Sequence, residues 1–160
     1  MTNEIKPNIL SIDSKSRAIW GGEIIKLSVQ LKKKEVEAFL GMLNSVLCSN
    51  DFDVDRDLVI IKSKKGKGKE IYSTPHTLLD LEYNAFDVAE RLRELTIDEY
   101  SETLVDKDDG NPPLLFVFGK DINHRQIYIK LKIKGDQKKH ILCVSFHYSE
   151  EKMSFPYKTG

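Results

Sequence analysis

Between residues 127 and 134 apolar and polar side chains alternate without a break. Ile127, Ile129, Leu131 and Ile133 fall on one face of an extended chain, and Tyr128, Lys130, Lys132 and Lys134 on the other. Such period-two alternation predicts an antiparallel strand half buried against a core. The next run predicts a strand of inverted parity, with Leu142, Val144, Phe146 and Tyr148 as its apolar set and Cys143, Ser145 and His147 opposite. An even-numbered turn around residues 135–138 would bring apolar face to apolar face. Tyr128 would then lie opposite or diagonal to His147, and Lys130 near Ser145, at the roughly 4.5–5.5 Å Cβ spacing of cross-strand neighbours. A two-residue turn at Asn123-His124 predicts pairing of Gly119 with Tyr128 and sets Phe116 and Phe118 on the core side, with room left above the glycine.

Upstream the period changes. Residues 1 to about 16 show none and are expected to form an arm. Residues 18–30 suggest a strand broken by Gly21-Gly22 and added at the sheet edge, with Trp20 as a partly buried aromatic or a partner anchor. Residues 33–47 carry Val36, Phe39, Leu40, Leu43, Val46 and Leu47 at helical spacing, so one stripe faces the core. A short strand is expected at 58–62. Thr74-Pro75 opens a helix with the hydroxyl as cap, and His76 is a surface residue of its first turn. Asn84 caps the next helix, whose stripe is Phe86, Ala89, Leu92 and Leu95, and Thr96 to Glu99 has the form of a capping box that carries Tyr100 toward the sheet. Phe155 and Tyr157 are expected to pin the tail. The sum is an α+β fold in which about four antiparallel C-terminal strands carry helices on one face and leave the other for ligands. Residues 1–32 read as an arm and possible edge strand, and 33–160 as the domain proper.

Composition adds bounds. A chain of 160 residues buries roughly 70 % of its unfolded surface, enough for a real core. No apolar run approaches the roughly 18–20 residues that span a bilayer, and the first residues lack the apolar stretch of a secretion signal. A cytoplasmic protein without membrane attachment is expected. Cys48 and Cys143 lie far apart in unlike contexts, so neither a zinc site nor a disulfide is predicted, and no cofactor is called for.

Net charge is zero, yet its distribution is uneven. Lysines and Arg125 dominate residues 120–140, while acids dominate 94–109. The segregation permits a basic cleft beside an acidic shoulder, and equally two solvated faces. The glycine-interrupted run Lys62, Lys64, Lys65, Lys67 and Lys69 could track a phosphate backbone without reading sequence, or form an exposed hairpin tip. Asp106, Asp108 and Asp109 lack the later glutamate of a calcium loop and are read as loop residues.

The open strand face would hold a phenol, an imidazole and lysines, a set suited to metal-free cleavage of RNA. There the 2′-hydroxyl attacks the adjacent phosphate, which requires a proton acceptor, a proton donor and cations. His147 titrates near neutrality, Tyr128 can donate, and Lys130 and Lys120 supply charge, with Arg125 and Lys132 as further phosphate contacts. A solvated strand face would carry the same residue types.

The run Leu95-Thr-Ile-Asp-Glu-Tyr100 and the blocks Val117-Phe-Gly-Lys-Asp-Ile122, Ile127-Tyr-Ile-Lys-Leu-Lys132, Cys143-Val-Ser-Phe-His147 and Phe155-Pro-Tyr157 occur in this order. Together they resemble the toxins of the MqsR (motility quorum-sensing regulator) family, type II toxin-antitoxin ribonucleases with a RelE-like fold. The likeness is dense from about residue 92 to 157, thin over 33–91 and absent before. It implies an mRNA endonuclease restrained by a cognate antitoxin protein, with Tyr128 at the family's catalytic tyrosine and His147 at the position of a catalytic lysine. Ser101 stands where a catalytic lysine is expected and Val117 where a glutamine is. Those departures favour a second reading, a non-catalytic module that holds nucleic acid or a protein on the same basic face.

Overall fold

The computed structural model describes residues 27–159 throughout and the backbone of 11–12, 17–20 and 23–26. The arm expected over residues 1 to about 16, and the side chain of Trp20, lie outside the described residues. Three short strands, β1 (Ser11–Ile12), β2 (Arg17–Trp20) and β3 (Glu23–Lys26), form one antiparallel sheet in which Trp20 pairs with Glu23. The edge addition expected here is made further along, by β4 (Ser28–Val29).

The chain then runs through α1 (Lys33–Leu47), α2 (Val54–Asp57), β5 (Leu58–Ile60), α3 (Thr74–Leu81) and α4 (Ala85–Arg93). It ends in a meander of β6 (Tyr100–Val105), β7 (Leu114–Ile122), β8 (Arg125–Lys134) and β9 (His140–Tyr148). The fold is α+β, as expected. The sheet has six strands rather than about four, in the order β4-β6-β7-β8-β9-β5, and only β5 runs parallel to its neighbour.

Local chemistry explains most boundaries. Asn84 caps α4 through the amide of Asp87, whose carboxylate returns to the Asn84 amide. Ser73, not Thr74, caps α3 by accepting from the His76 amide. The Thr74 hydroxyl, left free by this, accepts from the Phe146 amide at 3.1 Å, and that of Thr77 from the Tyr148 amide at 3.0 Å. Beyond the three residues that β5 covers, α3 therefore satisfies the outer edge of β9, where unpaired amides would otherwise invite another strand. In α4 the buried stripe is Val88, Ala89 and Leu92, while Phe86, expected inside, is 57 % exposed.

One face of the sheet makes the core. Val36, Leu43 and Leu47 of α1 and the α4 stripe close over Phe118, Ile129, Leu131 and Phe146. Phe39 stacks on Phe116 with ring centroids 3.8 Å apart.

The β7–β8 hairpin has the expected register, Phe116 with Leu131, Phe118 with Ile129 and Gly119 with Tyr128. Asn123 and His124 take φ of 52° and 67°, the double left-handed turn whose twist matches paired strands. The β8–β9 hairpin differs. Lys134 pairs with His140, so the connection holds five residues, and an irregularity after Lys130 offsets this odd number: Ser145 faces Lys130, but Cys143 faces Leu131. Val144 is thus an inserted bulge residue. Before it Ile141 and Cys143 face the core, both fully buried; after it Phe146 and Tyr148 do. The expected core positions of Leu142 and Val144, and the open-face position of Cys143, are exchanged by this one residue.

Candidate functional site

The strand register builds the open face in rows. One crosses from Gly119 through Tyr128 to His147; the next runs Glu102, Val117, Lys130, Ser145, with Ser101 at the β6 irregularity just before Glu102. Tyr128 and His147 are stacked, ring centroids 5.2 Å apart and planes 14° from parallel. With Lys65, Ser101, Glu102 and Lys130 they line a cleft of about 530 Å³, whose far wall is the tail from Ser149 to Ser154.

The tail is part of the site. It passes over Gly119 so closely that a Cβ there would meet the Phe155 ring at 2.7 Å and the Met153 sulfur at 2.9 Å. The space expected above Gly119 is therefore filled. Farther on, Tyr157 stacks on Tyr100 and its hydroxyl donates to the Leu31 carbonyl.

His147 is 7 % exposed. Its Nδ1 lies 2.9 Å from the Tyr148 carbonyl oxygen, which can only accept, so Nδ1 carries the proton and Nε2 the lone pair. Burial lowers its pKa below the usual 6.5; the bond to the Tyr148 carbonyl acts the other way, and Lys65 and Lys130 add to the lowering. The imidazole is thereby held as a neutral base at pH 7. Burial raises the Tyr128 phenol pKa, with the Glu102 carboxylate adding to it, so this group stays protonated and donates. Lys130 is half buried and has no hydrogen bond or ion pair among the described residues. Burial and Lys65 nearby lower its pKa, while the carboxylates of Asp106 and Asp108 act the other way. An ammonium in such a place, with no carboxylate bonded to it among the described residues, favours an anion.

The other expected residues separate. Lys65 lines the cleft, and Lys69 binds Glu150 at 2.7 Å, tying the lysine run to the tail. Lys62, Lys64 and Lys67 are exposed. Lys120 pairs with Ile127 and so points to the helix face, where Glu99 at 3.2 Å and Glu94 at 3.7 Å hold it. Arg125 shares that face, its guanidinium 3.4 Å above the Tyr148 ring. Neither sits with Tyr128 and His147. Lys132 does face the open side, but is 1 % exposed: its ammonium donates to Asp106 Oδ2 at 2.6 Å and to the carbonyls of Asp109 and Pro112, both at 3.0 Å. Those bonds leave it no free donor for a phosphate.

Glu102 and the tail are members of the site that no sequence pattern marks. Glu102 looks like the other acids of its segment, although a position level with Lys130 follows once β6 is paired with β7. Among the described residues no cluster of His, Cys, Asp and Glu is arranged to hold a metal ion, and no helix is long and apolar enough to cross a membrane. No family model matches the chain, and no curated protein and no solved structure matches it.

Proposed function

We propose that the protein is a metal-independent endoribonuclease acting on mRNA, a toxin of the MqsR kind with a RelE-like fold, inhibited by a cognate antitoxin protein in the cytoplasm. The observation that carries this reading is the stacked Tyr128–His147 pair beside an unpaired Lys130 in an open cleft. In the proposed reaction His147 Nε2 accepts the proton of a 2′-hydroxyl as its oxygen forms a bond to the adjacent phosphorus. The bond from phosphorus to the 5′-oxygen breaks, and that oxygen takes a proton from Tyr128. Lys130 and Lys65 offset charge on the phosphoryl oxygens. The products are a 2′,3′-cyclic phosphate and a 5′-hydroxyl, and water returns the transferred protons. Ser101 and Val117 supply no acid or base, so the proton work falls on two residues.

The test is incubation of purified protein with a defined mRNA in excess chelator, followed by mapping of the new ends. Cleavage leaving 5′-hydroxyl ends supports the reading. Ser101 and Val117 also favour a second reading, a binding module. RNA bound through Lys65 and Lys130 without any new ends selects that one.

A further inference from the structure

The bulge at Val144 has a consequence for binding. Because Cys143 turns into the core, Leu142 and Val144 both surface on the open face, and with Ile61 and Leu115 they floor a second cleft of about 400 Å³. Lys65, Lys130, Ser145 and His147 border both clefts, so the two meet at the residues proposed for phosphate and proton transfer. This volume lies in the roughly 300–1,000 Å³ range of small-ligand sites, which combine an apolar lining with few polar groups. The acids on its rim are not equivalent. Asp106 is committed to Lys132 and to the amides of Asp108 and Asp109. Asp108 is 84 % exposed at its side chain, and its one ion pair among the described residues is a 3.9 Å approach to the adjacent Lys107.

We propose that this second cleft receives the nucleobase next to the scissile phosphate and selects a base with an exocyclic amino group over uracil. The proposal rests on the ribonuclease reading of the first cleft. A phosphodiester held by Lys65 and Lys130 brings its neighbouring base to the cleft they share. The aliphatic floor takes the flat face of that base. Asp108 accepts from the amino group of cytosine, adenine or guanine, a pairing that a carboxylate makes readily. Where cytosine presents its amino group, uracil presents the O4 carbonyl oxygen, and a carboxylate placed for the amino group is repelled by that oxygen and left unpaired. The bordering lysines match a phosphodiester better than an apolar peptide, which has no charge for them.

The experiment measures binding of 2′-O-methyl oligocytidylate and oligouridylate, which lack the attacking hydroxyl and cannot be cleaved. The full-length protein is compared with Asp108→Ala, Leu142→Glu and Lys130→Ala, each checked for its thermal transition. The unmutated protein is expected to prefer the cytidylate by about fivefold or more, and Asp108→Ala to reduce the preference below about twofold while keeping uridylate binding. Leu142→Glu is expected to lose most binding to both. Equal affinity for the two oligomers, or a preference that survives Asp108→Ala, overturns the subsite. Full RNA binding in Leu142→Glu also overturns it and assigns the floor to a protein partner. If Lys130→Ala weakens RNA while the other two variants do not, the subsite fails alone; if no oligomer binds, the ribonuclease reading fails with it.

Discussion

Tyr128 lies flat against His147, 14° from parallel at a centroid distance of 5.2 Å, and so removes water from one face of the imidazole. Burial is the largest cause of the lowered His147 pKa, which makes the phenol ring a determinant of the base's readiness. In Tyr128→Ala that face opens to water. The His147 pKa is expected to rise toward 6.5, measured by NMR titration of the ring protons. An unchanged titration would show that the ring does not control it.

The same shift fixes the sign of a stability effect. The unfolded chain takes up a proton at His147 near pH 6.5, whereas the folded chain resists it. The contribution is therefore fully present above pH 6.5 and is lost as pH falls toward the lower folded value. Comparing unmutated protein with His147→Gln, the stability advantage of the histidine is expected to shrink between pH 7 and 5. Urea titrations at several pH values read this difference directly.

Lys132 and Asp106 form a buried pair whose loss is costly. Burial raises the Asp106 carboxyl pKa, but the Lys132 ammonium and the amides of Asp108 and Asp109 more than offset it, and the net direction is down. Lys132→Ala leaves that carboxylate 8 % exposed and without its cation. A loss of about 3–5 kcal/mol is expected by chemical denaturation, as for other broken buried pairs. The double change Lys132→Met with Asp106→Leu should cost less than the single alanine.

Gly119 is where the tail closes on the sheet. Alanine there would collide with Phe155 and Met153, both at the ends of flexible side chains. Gly119→Ala is expected to cost about 1–3 kcal/mol, in line with overpacked sites. It should also speed proteolysis within residues 150–158, followed by mass spectrometry.

How far the fold and the site are legible in the sequence depends on which feature sets each position. The Asn123-His124 turn and the alternation of β8 are local signals, and they are enough to set Tyr128 and Lys130 on one face and Gly119 beside Tyr128. The same alternation also separates two basic residues from that group. Arg125 shares the parity of Ile127, and Lys120 pairs with Ile127, so both belong on the helix face. Other features have no local signal. The odd connection after Lys134 and the bulge at Val144 compensate each other, and either alone would have inverted the end of β9. The burial of Lys132 depends on an aspartate loop more than twenty residues away, and the covering of Gly119 on a tail more than thirty residues away. Such contacts arise only when the sheet is assembled, and the run of acids at 106–109 gives no sign of which lysine it will enclose.

The central claim is that His147 and Tyr128 move protons on a phosphodiester. Its most direct measurement is the single-turnover rate of mRNA cleavage, in excess chelator, for the unmutated protein, His147→Ala and Tyr128→Phe, with thermal transitions and RNA affinity measured alongside. The account predicts measurable cleavage by the unmutated protein and losses of about 100- to 10,000-fold in each variant, with folding and RNA binding retained. Cleavage that persists unchanged in both variants, or none by the unmutated protein, would contradict it.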